Sequence, residues 1–451
     1  MKTAAQLARA DSLPAPSDRT AQTPAQQTQA ALAGGDLHAP KKRALLIISA
    51  DVRPEIQGEI AAGRYPRKDY FALAHALHAD ILDWPSIDDT RVSRVVGRFI
   101  GKAAAQAWLA FRQRRAYQVI YTDSERVGIP LAILLKLARA HQTQHVMLTH
   151  LLSPWKKRVW FRWGRIYSHI DTILCHATQQ RRIMIEELKI PAGKITLIPY
   201  QADEHFWHPM TAEEARASLE EAQTAAADSS APAPAVAAVA QARASGSGAP
   251  AQPMICSVGL EFRDYPTLIE AARDLDVQVE IAAASYWSHH KTVAEREALP
   301  PNVHISAHQY LSLRHLYAAA RFVVVPLLDV DNQAGITVIL EAMAMGKALI
   351  VSASKGQTDT VRDRRNKGYG RVERVILPGF LDAPGVAENL GRLPTGFYVK
   401  PGDPDELRRA ISYLLAHPDV ADELGRNGRR VVEGLMGLDA FVTRIVQIIE
   451  R

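Results

Sequence analysis

The chain has 451 residues, 47% of them hydrophobic, and a formal net charge of +6. That length is too great for one ordinary core and argues for two domains, while the modest basic excess permits anionic partners without naming one. Cys175 and Cys256, the two cysteines, both fall in predicted strands; they suggest no disulfide framework and fit a reducing cytosol. No stretch approaches the roughly 18 apolar residues of a membrane span, and the N-terminus lacks the apolar centre of a signal peptide, so the expected location is cytoplasmic.

Residues 1–40, rich in Ala, Gln, Pro, Ser and Thr without apolar periodicity, read as a disordered segment. Residues 41–210 then alternate. Ala44–Ser49 reads as a buried strand, Asp51–Lys68 as a long loop and Tyr70–His78 as a helix. Strands follow at Val119–Thr122, Val146–Thr149, Thr172–Cys175 and Ile195–Ile198. Helices at Gly128–Ala140, Trp155–Tyr167 and Gln179–Leu188 separate them. Such alternation argues for a parallel, doubly wound sheet. His150 ends one strand. A histidine there serves either as a structural hydrogen-bonding group or, at the carboxyl end of a parallel strand, as part of a ligand site.

Residues 211–253 depart from this pattern: from about Ala225 they are Ala/Pro/Ser/Gly-rich, the composition of a flexible linker. A second alternating unit, 254–436, opens with the strand Met254–Val258. Further strands are read at Val277–Ala283, Val303–Ser306, Phe322–Val325 and Ala348–Val351, with helices from Thr267, at Leu313–Ala320 and from Asp405. Pro418–Gly434 and Leu438–Ile449 also read as helical. The most informative stretch is Phe322–Ser352: strand, loop, helix from Gly335 to Met345, strand. The helix is apolar on almost every side, yet it carries Glu341. Gln333, Thr337 and Glu341 are spaced i, i+4, i+8 and form one polar stripe if the helix reaches back that far. A lone buried carboxylate costs several kcal/mol unless hydrogen-bonded. Either a neighbouring protein group or a polyhydroxylated ligand satisfies it. The helix start also offers backbone N–H groups to an anion.

Glu341-Ala342-Met343-Ala344-Met345-Gly346 resembles the second half of the E-x7-E motif of family 4 glycosyltransferases, which have the GT-B fold. Ile198-Pro199-Tyr200-Gln201-Ala202-Asp203 with Phe206 is similar to the family's I-P-N-G-V-D segment. Gly396–Asp403 is similar to its G-x-x-V-x-P-G-D segment. The resemblance implies two Rossmann-like domains facing a cleft, with the last helix, 437–451, crossing back to the first domain. It implies transfer of a hexose from a nucleotide sugar to a hydroxyl acceptor with retention of configuration. Gly259, Arg263, Gln333, Gly335, Ile336, Thr337 and Glu341 are then donor-binding: Glu341 holds the ribose and Arg263 the diphosphate. Gln333 and His150 take the catalytic positions, Gln333 at the sugar and His150 on the acceptor side. Two departures stand out. Gln333 replaces the first Glu of the motif and carries no charge, and only Arg263 remains of a basic pair. Lys355–Pro394 is longer and more charged than the family usually has. No cofactor and no metal is implied, and Asp329-Val330-Asp331 reads as a coincidental spelling of a metal motif. A non-catalytic GT-B scaffold and another GT-B enzyme, such as a nucleotide-sugar epimerase, are the alternatives.

Two stretches of the first unit lack acidic residues. Arg91–Arg115 reads as one basic amphipathic helix, with Arg94, Arg98 and Lys102 in a stripe. Trp155–Tyr167 interleaves three Trp with Lys156, Lys157, Arg158, Arg162 and Arg165. No nucleic-acid-binding module accompanies them, so nucleic acid is not an expected partner. Two readings stand: basic faces that are simply solvated, or attachment to anionic lipid at the inner face of the cell membrane, with a lipid-linked acceptor.

Overall fold

The computed structural model describes residues 43–152, 154–211, 213–214, 252–284, 299–364, 390 and 392–451. The segment expected to be disordered (1–40), most of the expected linker and most of 365–394 lie outside these residues.

The first half is built on six parallel strands: β1 (Ala44–Ile47), β2 (Asp80–Leu82), β3 (Val119–Thr122), β4 (Gln144–Thr149), β5 (Thr172–Cys175) and β6 (Ile195–Leu197). Its helices are α1 (Ile56–Ala61), α2 (Asp69–Leu77), α3 (Arg91–Phe99), α4 (Lys102–Gln113), α5 (Glu125–Leu137), α6 (Trp155–Arg162) and α7 (Thr178–Glu186). The strand order is β2-β1-β3-β4-β5-β6. Strands covered on both faces must be apolar throughout, and Ala44–Ile47 is buried at all four positions. Leu46, Tyr121 and Leu148 point to the side of α2; Leu45, Ile47 and Ile120 point to α4 and α5.

The second half repeats the plan with β7 (Met254–Val258), β8 (Gln278–Ala284), β9 (Val303–Ala307), β10 (Phe322–Val325), β11 (Ala348–Ser352) and β12 (Gly396–Val399). The order is β12-β11-β10-β7-β8-β9, again all parallel. The helices are α8 (Tyr265–Ala272), α9 (Tyr310–Ala319), α10 (Ile336–Ala344), α11 (Pro404–Ala416), α12 (Pro418–Val431) and α13 (Leu438–Glu450). Starts are written locally. Asp264 and Asp403 accept backbone N–H groups at the openings of α8 and α11, and Pro266 and Pro404 stand in the first turns. The expected fold class is thus observed: two Rossmann-like parallel sheets with flanking helices. The last helix returns as expected, packing Leu438, Phe441, Ile445 and Ile449 on the first sheet beside α2.

In each sheet the chain winds outward in one direction and then in the other. The reversal falls between β1 and β3 in the first sheet and between β7 and β10 in the second. Loops leaving adjacent strands at such a point diverge and open a crevice at the carboxyl ends of the strands.

The chain passes between the halves twice, and the two passes are tied together. Ala202 and Gly437 pair as a parallel bridge. Glu204 accepts the Leu438 N–H at 2.7 Å. Arg429 donates to the carbonyls of Glu204, Trp207 and Ala344 at 3.0, 2.7 and 2.9 Å. Glu204, His205 and Asp439 place one potential metal-ligand atom each within 4.8 Å of one another. Arg67 reaches the same spot, 2.7 Å from Asp439 and 3.6 Å from Glu204, and supplies the positive charge there itself.

Three sequence expectations need correction. Arg91–Arg115 is two helices, because Gly101 adopts φ 113° and turns the chain between α3 and α4. Lys102 therefore leaves the Arg94/Arg98 stripe and lies 4.8 Å from the Trp84 ring. The helix expected at Trp155–Tyr167 stops at Arg162, and the left-handed Arg165 leads into a 3-10 turn. The loop expected after β1 contains α1, and the short edge strand β2 follows α2.

Gly425 of α12 lies against the backbone of Gly346, where a Cβ would collide with the Gly346 carbonyl oxygen. Gly425→Ala should therefore lower the melting temperature by several degrees. Overpacking against an immobile group costs ~1–3 kcal/mol, which outweighs alanine's better helix propensity. Gly193→Ala, whose Cβ would meet open space, should leave it unchanged. Equal melting temperatures for the two variants would show that the α12 contact has slack.

Candidate functional site

The loops after β7 and β10 meet as the topology requires. Asp264 donates its N–H to the Pro326 carbonyl at 3.1 Å and Leu328 to the Phe262 carbonyl at 3.0 Å, so Arg263 and Leu327 pair across them. The loop after β11 braces the same region from the other side. The Ser354 hydroxyl bonds the N–H and carbonyl of Val330, both at 3.0 Å. The buried Gln357 amide donates to the Ala334 carbonyl at 3.1 Å.

Arg263 is held at the centre. Its Nε donates to the Val258 carbonyl at 2.9 Å and Nη1 to the Glu261 carbonyl at 2.8 Å. Its guanidinium lies against Gly259, in space that a Cβ there would invade, and 3.4 Å from where a Gly335 Cβ would stand; that Cβ would press on Val325 and Leu327 instead. Both glycines have positive φ, 102° and 76°, which independently disfavours a side chain. Burial pulls the Arg263 pKa below its usual value. Gly335 is also the N-cap of α10, so the guanidinium stands beside the N–H groups that open that helix at Ile336 and Thr337.

Glu341 lies further along α10, between core residues Leu340 and Ala342. Its Oε2 accepts the Tyr317 hydroxyl of α9 at 2.9 Å. Burial raises its pKa to about 7, against the opposing effects of the Tyr317 hydrogen bond and the charges of Lys68 and Arg263. Thr337, a turn earlier, is exposed. Gln333 is not on the helix: α10 begins at Ile336, so the three-residue stripe shortens to Thr337 and Glu341. Gln333 sits half-buried in the preceding turn. Asp329 of the Asp-Val-Asp sequence is engaged by Lys355, through its N–H at 3.0 Å and its ammonium at 3.1 Å.

The first half presents its own crevice opposite. Ser49, after β1, donates its N–H and hydroxyl to Asp123, after β3, at 2.7 and 2.6 Å. His150, after β4, is exposed. Its backbone N–H goes to Glu125 at 2.9 Å, and its Nε2 lies 3.1 Å from the Asp123 carbonyl. Asp69 opens α2, accepting the Tyr70 N–H at 2.9 Å and the Gln201 amide at 3.3 Å. Burial raises the pKa of both Asp69 and Asp123, and the charge of a protonated His150 opposes the rise in each. Several contacts among the described residues span the crevices. Thr178 N–H donates to Asp359 at 2.6 Å, Gln180 donates to the Asp331 carbonyl at 3.2 Å, and the Tyr65 and Tyr310 rings meet edge to face at 4.5 Å.

Gly259, Arg263, Gly335, Ile336, Thr337 and Glu341 thus gather along one edge of the second sheet, and His150 stands on the first. Tyr317, Lys68, Asp69 and Asp123 join them without having been singled out from sequence. Asp69 has the one local signal, an acid at the start of a helix that follows a long loop.

Residues 260–378 match the family model described as "Glycosyl transferases group 1". No curated protein matches by sequence. Solved structures match over almost the whole chain. A glycosyltransferase from Rickettsia africae is 13% identical with a TM-score of 0.60, covering 91% of this chain and 98% of its own. A sucrose-phosphate synthase from Thermosynechococcus elongatus is 18% identical, TM-score 0.59, with the same coverage. Anabaena HepE, in complex with UDP-glucose, is 13% identical, TM-score 0.58, covering 91% and 99%. The fold is GT-B.

The raised pKa of Glu341 gives a stability test. An acid whose folded pKa lies above its ordinary value of 4.5 contributes stability below that value and loses it as pH rises through about 7. From pH 5 to pH 8 the wild type should lose stability relative to Glu341→Gln, up to ~3 kcal/mol in the limit. Thermal melts of both proteins across that range check it; a difference independent of pH would show that Glu341 titrates normally.

Proposed function

We propose that the chain is a glycosyltransferase that moves a hexose from a nucleotide sugar to a hydroxyl acceptor with retention of configuration. The observation that carries this reading is Arg263, fixed between two glycines beside the opening of α10, with Glu341 further along the same helix. A fixed cation beside free helix N–H groups suits a diphosphate. A half-buried carboxylate that takes one protein hydroxyl among the described residues suits vicinal hydroxyls of a ribose. The fold shared with HepE, solved with UDP-glucose, supports a nucleotide sugar as the donor. In this reading Arg263 and the amides of Ile336 and Thr337 stabilise the charge that develops on the departing diphosphate, which is where such catalysis mainly arises. Gln333 contacts the sugar, and His150 lies on the acceptor side. The mechanism calls on no cofactor and no metal.

A panel of nucleotide sugars, assayed for released nucleotide, tests the proposal. Transfer or slow hydrolysis releases nucleotide. A scaffold releases none from any donor, and an epimerase alters the sugar without an acceptor; either result would overturn the reading. Within the panel, Arg263→Ala should weaken nucleoside diphosphate binding about tenfold or more, since a hydrogen bond to a charged group contributes ~1.5–3 kcal/mol. It should leave nucleoside binding nearly unchanged. Equal losses for both would remove Arg263 from the phosphate site.

The acceptor we propose is lipid-linked, with the enzyme on an anionic membrane surface. Among the described residues no helix is long and apolar enough to cross a membrane. The support lies in side chains left outside: Phe99 is 79% exposed, Ile100 73%, Trp155 70% and Trp163 75%, with Arg94 and Arg98 exposed beside the first pair. Not every base of α6 faces out. Lys157 is paired with the buried Glu125 at 2.6 Å and Arg158 with Glu187 at 2.6 Å. The informative variants are therefore Phe99→Ser with Trp163→Ser, and Arg94→Gln with Arg98→Gln. The wild type should co-sediment with anionic vesicles at low salt, and each pair of changes should weaken that binding. Wild-type protein left in the supernatant under those conditions would show that the basic faces are only solvated.

A further inference from the structure

We propose that Lys68 is a second cation of the diphosphate site, supplied by the first half of the molecule. The proposal rests on the transferase reading and adds a residue to it. A departing nucleoside diphosphate carries at least two negative charges, and Glu341 adds another whenever it is ionised. Arg263 alone leaves that site short of positive charge. Two of its N–H groups are also committed to the Val258 and Glu261 carbonyls. Two further bases of the second half are engaged: Lys355 is paired with Asp329 at 3.1 Å, and Arg362 donates to the Asp359 carbonyl at 3.5 Å.

Lys68 differs. Its ammonium makes no hydrogen bond or ion pair among the described residues. It stands 4.8 Å from the centre of the Tyr65 ring and 5.5 Å from that of Tyr310. Tyr310 belongs to α9, the helix whose Tyr317 bonds Glu341. Both tyrosines approach Trp207, whose ring centre is 6.2 Å from that of Tyr310 and 5.7 Å from that of Tyr317. Lys68 is thereby placed from the first half against the wall that carries the Glu341 carboxylate, and its charge acts on that carboxylate as Arg263's does. The neighbouring Asp69 feels the Lys68 charge but makes no ion pair with it among the described residues; its carboxylate takes the Tyr70 N–H and the Gln201 amide. Two aromatic faces orient the ammonium without satisfying its hydrogen-bond donors. A phosphate oxygen would satisfy them. Arg263 comes from the second sheet and Lys68 from the segment before α2, so one anion between them engages both halves.

The alternative role for Lys68 is a prop for the Tyr65–Tyr310 contact, and the test separates the two. UDP, ADP and GDP, with the matching nucleosides, are titrated calorimetrically into wild type, Lys68→Gln and Lys68→Arg. For the diphosphate that the wild type binds, Lys68→Gln should weaken affinity about tenfold, in line with one charged hydrogen bond. Affinity for the nucleoside should be unchanged, and Lys68→Arg should retain most of the diphosphate affinity. Wild-type affinity in Lys68→Gln, or equal losses for diphosphate and nucleoside, would overturn the proposal and leave the transferase reading standing. A wild type that binds none of the three diphosphates would instead remove the transferase reading, and this proposal with it.

Discussion

The Arg263 guanidinium fills the space of a missing Gly259 side chain and lies against Gly335, where the positive φ and the neighbouring Val325 and Leu327 also exclude a side chain. That single steric condition links three levels of the structure. In sequence, it demands glycine at two positions in different loops. In the fold, it demands that β7 and β10 be neighbours, which the winding order of the sheet provides. In chemistry, it fixes a positive charge beside the free N–H groups of α10, with no rotamer search left to the side chain at the moment of binding. The desolvation that lowers the Arg263 pKa measures the same burial from the side of its cost.

Polar contacts tie the two passes between the halves, beside the apolar packing of α13 on the first sheet. Arg67 bonds Asp203 at 2.8 Å and Asp439 at 2.7 Å; the first lies on the connection leaving the first sheet, the second on the helix that returns to it. Arg429 ties three carbonyls at the same junction. The contacts that span the crevices are also largely polar, as between Thr178 and Asp359.

Much of this was legible in the sequence, for definite reasons. Parallel strands covered on both faces must be apolar at every position, so runs such as Phe322–Val325 announce themselves. Glu341 is conspicuous because the rest of α10 is core. What escaped depends on contacts between distant residues or on one backbone angle. Tyr317 belongs to another helix, and nothing local marks its hydroxyl as the partner of Glu341. Lys157 looks like one more base in a basic run, until the fold brings Glu125 beneath it. The spacing of Gln333, Thr337 and Glu341 is correct arithmetic for a helix, but Gly335 takes φ 76° and the helix begins only after it, which leaves Gln333 outside. Gly101 breaks the basic helix in the same way, since an amphipathic pattern continues across it. The edge strand Asp80–Leu82 is three residues long and half exposed, too little burial to write an apolar signature.

These residues also explain why a carboxylate can be kept in such a place. Glu341, half-buried between core side chains, would by desolvation alone prefer to be neutral, and its pKa has moved to about 7. Tyr317, Lys68 and Arg263 pull the other way, and the balance leaves the group able to exist in either state near neutrality. A negatively charged ligand arriving beside Glu341 would push the balance toward the protonated form, whereas a cation held beside both would restore the ionised acceptor that a ribose hydroxyl needs. In the proposed site the positive charges would have two tasks that cannot be separated. They would attract the anion, and they would keep that anion's field from raising the pKa of the carboxylate next to it. Arg263 is placed for the first task by its glycines. The second is better served by a cation approaching from the opposite wall, where it can face the ligand and the carboxylate at once.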